Sequence, residues 1–148
     1  MGYGVLAFDF SGSGASSGEF KDITLSGQAH DLRQVIDYAA GNYFLPIYLL
    51  GRSFGGSTVL AGGSGDPRIR GFVLWSAPVY LTDTFRAMMG EAYDQLSAGQ
   101  TIWVSDENDS FMLGPALVRD FALHDMDAYL ERIGDRPVLV IHGEATRR

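Results

Sequence analysis

Pro46-Ile47-Tyr48-Leu49-Leu50-Gly51-Arg52-Ser53-Phe54-Gly55 begins as an apolar run suited to a buried strand and passes through small residues into a stretch carrying Val59, Leu60 and Ala61. That second stretch reads as a helix packed closely on a sheet. A strand that enters a helix through Gly-x-Ser-x-Gly makes a sharp elbow, which predicts an exposed hydroxyl on Ser53 with Gly51 and Gly55 leaving room on either side. The same turn aims the backbone N–H of Phe54 at the oxyanion formed when an acyl group is attacked, and the helix N-terminus adds favourable potential there. Ser53 is therefore the candidate catalytic nucleophile and Phe54 the candidate oxyanion donor. The competing reading is a tight glycine-rich turn in a catalytically silent domain.

The pattern alone is weak in a chain with 19 glycines. Gly14-Ala15-Ser16-Ser17-Gly18 matches it too, but polar residues (Glu19-Phe20-Lys21-Asp22) follow in place of a helix, so context selects Ser53 over Ser16. A dinucleotide-binding domain is the other reading of this loop. Ser17 stands where the third glycine of Gly-x-Gly-x-x-Gly belongs, and no helix opens at the glycines. Neither a phosphate-cradling Gly-x-x-x-x-Gly-Lys-[Ser/Thr] motif nor His-Glu-x-x-His occurs, and no metal site is expected.

Working outward, Val5–Phe10 reads as a strand buried on both faces, Pro46–Leu50 as a second buried strand, and Arg70–Ser76 and Arg136–His142 as two more strands. Between the first two, Ser26–Gly41 places Ala29, Leu32, Val35, Ile36, Ala39 and Ala40 on one stripe, an amphipathic helix stopped at Gly41. The alternation of strand and helix predicts an α/β fold with a parallel sheet. From Leu81 to Leu130 the character shifts to aromatics, paired methionines and the acidic Asp106-Glu107-Asn108-Asp109. Residues 82–130 are expected to form an inserted lid, the competing reading being surface helices that link two strands; 1–81 and 131–148 form the core.

The chain has 148 residues with a formal charge of -7 and no basic run beyond Arg147-Arg148, which argues against nucleic acid as a partner. Without cysteine there is no disulfide framework or thiolate metal site, a composition compatible with a cytoplasmic protein. No apolar run approaches the ~20 residues of a membrane span. No cofactor is expected.

Gly2–Ser16, Ile47–Gly55, Phe72–Pro78 and Val138–Gly143 together resemble the fourth to seventh strands and connecting loops of the α/β-hydrolase superfamily. Within it, the chain is similar to lidded serine hydrolases such as cinnamoyl (feruloyl) esterases and monoacylglycerol-lipase-like enzymes. The resemblance implies a carboxylic-ester hydrolase with a small-molecule ester substrate and an acyl-enzyme on Ser53. It also implies a triad acid four residues after His142, where Thr146 stands, and a catalytic histidine beyond an eighth strand. Acid and base are thus absent from the chain, and little turnover is expected from it alone. Of the histidines present, His30 reads as a solvated helix residue and His142 as a structural strand end. His124, near Asp125 and Asp127, is the one stand-in base, and Asp9 is expected to accept backbone N–H groups of its own loop. The family strand order 1-2-4-3-5-6-7-8 implies a gap beside Val5–Phe10. That strand must either pair with Ile47–Leu50 or leave open edges, and a chain with open edges is expected to be marginally stable or self-associating. The second functional expectation follows from this: a non-catalytic fragment associating through sheet edges and lid aromatics such as Phe85, Trp103 and Phe111.

Overall fold

The computed structural model describes residues 2–105 and 110–143. Its centre is a parallel three-stranded sheet in the order β1 (Ile47–Arg52), β2 (Ile69–Trp75), β5 (Val138–Ile141). Leu49 stands beside Phe72 and Gly51 beside Leu74, so these residues share a face. Helix α1 (Leu25–Tyr43) and helix α2 (Phe54–Gly63) pack on each other, and α2 lies over that face.

Sequence explains much of this layer. Thr24 caps α1, its Oγ1 accepting the Gly27 N–H at 2.9 Å, and Leu25, Ala29, Leu32 and Ile36 are buried at helical spacing. The helix runs through Gly41, however, and stops at Phe44, which takes a left-handed conformation at φ 50°. Close packing of α2 depends on its lack of side chains. A Cβ on Gly62 would sit 2.9 Å from Leu32 Cδ2, and one on Gly63 would overlap the Leu49 side chain. Across the C-terminal end of α2, the Arg136 guanidinium donates to the carbonyls of Ser64, Asp66, Ile69, Arg132 and Ile133 and ties α2, β2 and the end of the helix Met126–Ile133 together.

Two expectations fail. Val5–Phe10 forms no strand: the segment is irregular and Val5 is 91% exposed. Phe8 and Phe10 pack against the core, but the backbone meets no neighbouring strand with which to form a ladder. Of the two outcomes foreseen for the sheet, open edges rather than direct pairing is the one adopted. Nor is the strand expected at Pro46–Leu50 fully buried. Tyr48, Leu50, Trp75, Leu139 and Ile141 are exposed on the side away from α2, and on β5 the opposite side is exposed too, at Val138 and Val140.

Residues 81–133 fold as α3 (Leu81–Met89), α4 (Glu91–Ser97), the antiparallel pair β3 (Ile102–Ser105) and β4 (Ser110–Leu113), α5 (Ala116–Asp120), a 3-10 turn (Phe121–Leu123) and α6 (Met126–Ile133). The hairpin has no counterpart in the sequence reading, and the acidic Asp106–Asp109 stretch lies outside the described residues. Position 130, where the lid was expected to end, falls within α6. The region is anchored to the core: Phe111 meets the Phe20 ring at 5.0 Å, and Gly114 N–H donates to Lys21 O at 2.8 Å. Among the described residues no helix is long and apolar enough to cross a membrane, and no acidic, cysteine and histidine cluster could hold a metal.

Candidate active site

Ser53 is the single residue between the end of β1 and the start of α2, with φ 52° and ψ -127°. A non-glycine residue there carries strain of about 1–3 kcal/mol, which persists only where the surroundings leave no alternative. The neighbours supply that constraint. Ser53 N–H donates to Trp75 O at 2.8 Å, continuing the β1–β2 ladder by one rung, and Gly56 N–H donates to Ser53 O at 2.8 Å to open the helix. The Ser57 hydroxyl donates to Pro78 O at 2.5 Å, and Thr58 Oγ1 bonds Phe54 O at 3.0 Å and Gln28 Oε1 at 2.7 Å, fixing the first turn.

Ser53 is exposed, and its hydroxyl makes no hydrogen bond with any described residue. Phe54 opens α2, so its N–H has no partner within the helix, and no other described residue accepts it. Its half-buried ring meets Phe85 at 5.6 Å and Phe121 at 6.2 Å. Phe121 also lines a cavity of about 220 Å³ with Val79, Tyr80, Asp83, His124 and Met126.

The two elbow glycines differ. A Cβ on Gly51 would overlap the Gly55 carbonyl, whereas a Cβ on Gly55 would meet nothing within 4 Å. The second crowded position is Gly56, which faces Ala77 Cβ. The expectation that Gly55 must be small for steric reasons is therefore corrected. At the competing motif, Ser16 Oγ donates to Asp9 O at 2.6 Å and no helix follows. Asp9 Oδ2 accepts the Ala15 N–H at 3.0 Å, the loop-shaping role expected of it.

No described histidine bonds Ser53. His30 is exposed on α1 and His142 is exposed beyond β5. The His124 side chain is buried, with Nε2 at 3.0 Å from Asp120 Oδ2 and 2.9 Å from Ser26 Oγ, and Nδ1 at 2.9 Å from Tyr129 OH. A carboxylate facing Nε2 places the proton on that nitrogen in the neutral ring, and Nδ1 then accepts from Tyr129. The ring is held on all sides and has no lone pair free for Ser53. Its acidic partner is Asp120, a helical turn earlier, and not Asp125, which caps α6 by accepting Ala128 N–H at 2.9 Å. Thr146 lies outside the described residues.

Sequence reasoning also missed Trp75, whose carbonyl holds the elbow, and Ser76, with φ 49° and an N–H donated to Ile141 O at 2.8 Å. Backbone contacts between strands leave no mark on residue type, so no motif announced either.

Residues 1–108 match the family described as serine aminopeptidase, S33, whose fold is that of the α/β-hydrolases. The chain belongs to this family. Among solved structures it is similar to Est1E from Butyrivibrio proteoclasticus with ferulic acid bound, at 25% identity and a TM-score of 0.76, over 90% of this chain and 54% of that one. It is also similar to an α/β hydrolase from Penicillium sp. sh18 (18%, TM-score 0.66, 89% and 58%) and to a monoacylglycerol lipase from Paleococcus ferrophilus (16%, TM-score 0.54, 93% and 72%). The last two likenesses speak for the fold alone. This member of the family spans a little over half the length of the first of these structures. No curated protein matches it.

Proposed function

We propose that this chain carries the nucleophile of a serine hydrolase that cleaves carboxylic esters of small molecules through an acyl-enzyme on Ser53. The observation that carries this reading is the strained Ser53 backbone at a strand-to-helix elbow, with an exposed hydroxyl that bonds no described residue. Ser53 Oγ attacks the ester carbonyl, and the tetrahedral oxyanion is held in part by Phe54 N–H at the start of α2. Collapse expels the alcohol and leaves an ester on Ser53, which water then hydrolyses. The serine aminopeptidase family and Est1E, with the carboxylic acid ferulic acid bound, support a hydrolytic acyl-transfer chemistry. The 82–130 region is proposed as the lid of this site, a role consistent with the Phe54, Phe85 and Phe121 ring contacts. The chemistry needs no cofactor, and the lack of cysteine favours a cytoplasmic location.

Taking the proton of Ser53 requires a base, and none of the described histidines is arranged for it. Removing a triad member typically leaves about 10³–10⁴-fold over water, so these residues alone are expected to turn over esters weakly. The test is labelling with a fluorophosphonate probe. Labelling abolished by Ser53→Ala and retained in Ser16→Ala is the expected result; no labelling of folded protein would instead favour a non-catalytic member of the family.

A further inference from the structure

Relaxing Ser53 from φ 52° and ψ -127° turns the peptide that joins it to Phe54. That peptide carries the Phe54 N–H, and turning it swings the Phe54 Cα–Cβ bond and the ring beyond. Two rings stand against that swing. Phe85 on α3 meets the Phe54 ring edge to face at 5.6 Å, Phe121 on the 3-10 turn does so at 6.2 Å, and Phe85 and Phe121 meet each other at 5.0 Å. All three separations fall in the range of roughly 4.5–7 Å at which aromatic pairs attract. We propose that Phe85 and Phe121 are positioning residues, which brace the strained elbow from the side of the 82–130 region and so hold the Phe54 N–H where the oxyanion of the Ser53 reaction forms. The inference rests on the roles proposed above for Ser53 and Phe54.

The backbone leaves this task to packing. On its carbonyl side the Ser53–Phe54 peptide is held by the Gly56 N–H at 2.8 Å, whereas its N–H side, which must stay open for an oxyanion, bonds no described residue. A brace also has to be fixed at its far end, and both rings are. Phe121 is buried and follows Asp120, whose carboxylate accepts the Ser26 N–H at 2.8 Å; the turn it opens leads into His124, whose Nε2 stands 3.0 Å from the same carboxylate. The turn that carries Phe121 is thereby tied to α1. Phe85 is held through the entry to its helix, because the Ser57 hydroxyl of α2 donates to Pro78 O just ahead of α3 and Leu81, the first residue of α3, is buried. A strained conformation persists only where its surroundings over-determine it, and these two rings add the restraint that hydrogen bonds cannot supply on the reacting side.

The test compares Phe85→Leu and Phe121→Leu with Phe111→Leu, which removes a ring of the same region whose aromatic partner is Phe20 and not Phe54. Two quantities are read in each. The first is amide exchange at Gly56, whose N–H bonds Ser53 O, taken relative to Phe72, whose N–H bonds Pro137 O, so that a general loss of stability divides out. The second is fluorophosphonate labelling of Ser53, separated into KI and kinact. In Phe85→Leu and Phe121→Leu the relative exchange at Gly56 is expected to rise about tenfold. In the same variants kinact falls about tenfold with KI unchanged, part of the ~10²–10³ lost when an oxyanion donor is removed outright. Phe111→Leu is expected to leave both quantities at the parent values, as is Phe85→Tyr, which keeps the ring. Equal effects in Phe111→Leu overturn the proposal, and so does unchanged Gly56 exchange in both test variants. Faster exchange with unchanged kinact overturns it too, since the rings would then only pack. If the folded parent chain takes no label at all, the reading of Ser53 as nucleophile fails, and the exchange at Gly56 still decides by itself whether the two rings brace the elbow.

Discussion

At the scale of the residue, the elbow is built from one strained serine and two crowded glycines. Its steric logic separates positions that look alike in sequence. Gly51→Ala forces a Cβ into the Gly55 carbonyl and is expected to cost about 1–3 kcal/mol or more in urea denaturation, as other overpacked sites do. Gly55→Ala enters open space within the first turn of α2 and is expected to be neutral or stabilising by up to about 1 kcal/mol. Ser53→Gly relieves the positive φ, so a gain in stability of the order of 1 kcal/mol together with loss of fluorophosphonate labelling is expected. A Ser53→Gly protein less stable than its parent would remove strain from the account. The Ser53 and Phe54 positions were legible because the motif sits between a strand pattern and a helix pattern. Gly56 was not, since its crowding comes from Ala77 on a different connection.

At the scale of the element, the region between α3 and α6 is held to α1 by a buried polar cluster. Asp120 accepts the Ser26 N–H at 2.8 Å near the start of α1 and pairs with His124. Asp120→Ala strands both donors and is expected to lower stability by about 2–4 kcal/mol, with faster amide exchange at the start of α1 as the local signature. After α2, Asp66 accepts from the Arg68 backbone and guanidinium, and Arg68 also reaches Asp37 on α1. These bonds from Arg68 hold the Asp66 carboxyl below the usual carboxylate range. A lowered folded value means that the stabilisation is present above the unfolded carboxylate pKa of about 3.9 and is lost as pH falls through the folded value. Asp66→Asn is therefore expected to flatten the acid limb of a stability–pH profile; an unchanged limb would exclude this contribution. The Ser26–Asp120 and Arg68–Asp37 links join residues far apart in the chain and the Asp120–His124 pair depends on how consecutive turns face inward, so none was visible beforehand; the Asp66–Arg68 pair is local, two residues apart, and was not read from the sequence.

At the scale of the whole molecule, a sheet covered on one side at β1 and β2, exposed on both sides at β5 and, among the described residues, open at both edges shapes the chain's behaviour. The amino-terminal segment shows the consequence most directly. As a buried central strand, Val5 would tolerate little change; exposed, Val5→Ser is expected to alter stability by less than about 0.5 kcal/mol, with amides 3–7 exchanging within the dead time of the measurement. A larger loss would show that this segment finds a strand partner in solution. The expectation of open edges came from the family resemblance, and the bare face came from the structure.

Local pattern by itself determined the α/β alternation, the amphipathic α1, three of the four strands and the elbow with its serine, because periodicity and turn chemistry are properties of neighbouring residues. Tertiary structure alone decided that Val5–Phe10 would not be a strand, that the sheet would lie bare on one side and that His124 would answer to Asp120. A strand exists only where another backbone completes its hydrogen bonds, and a side chain's role is set by whichever distant segment the fold brings against it.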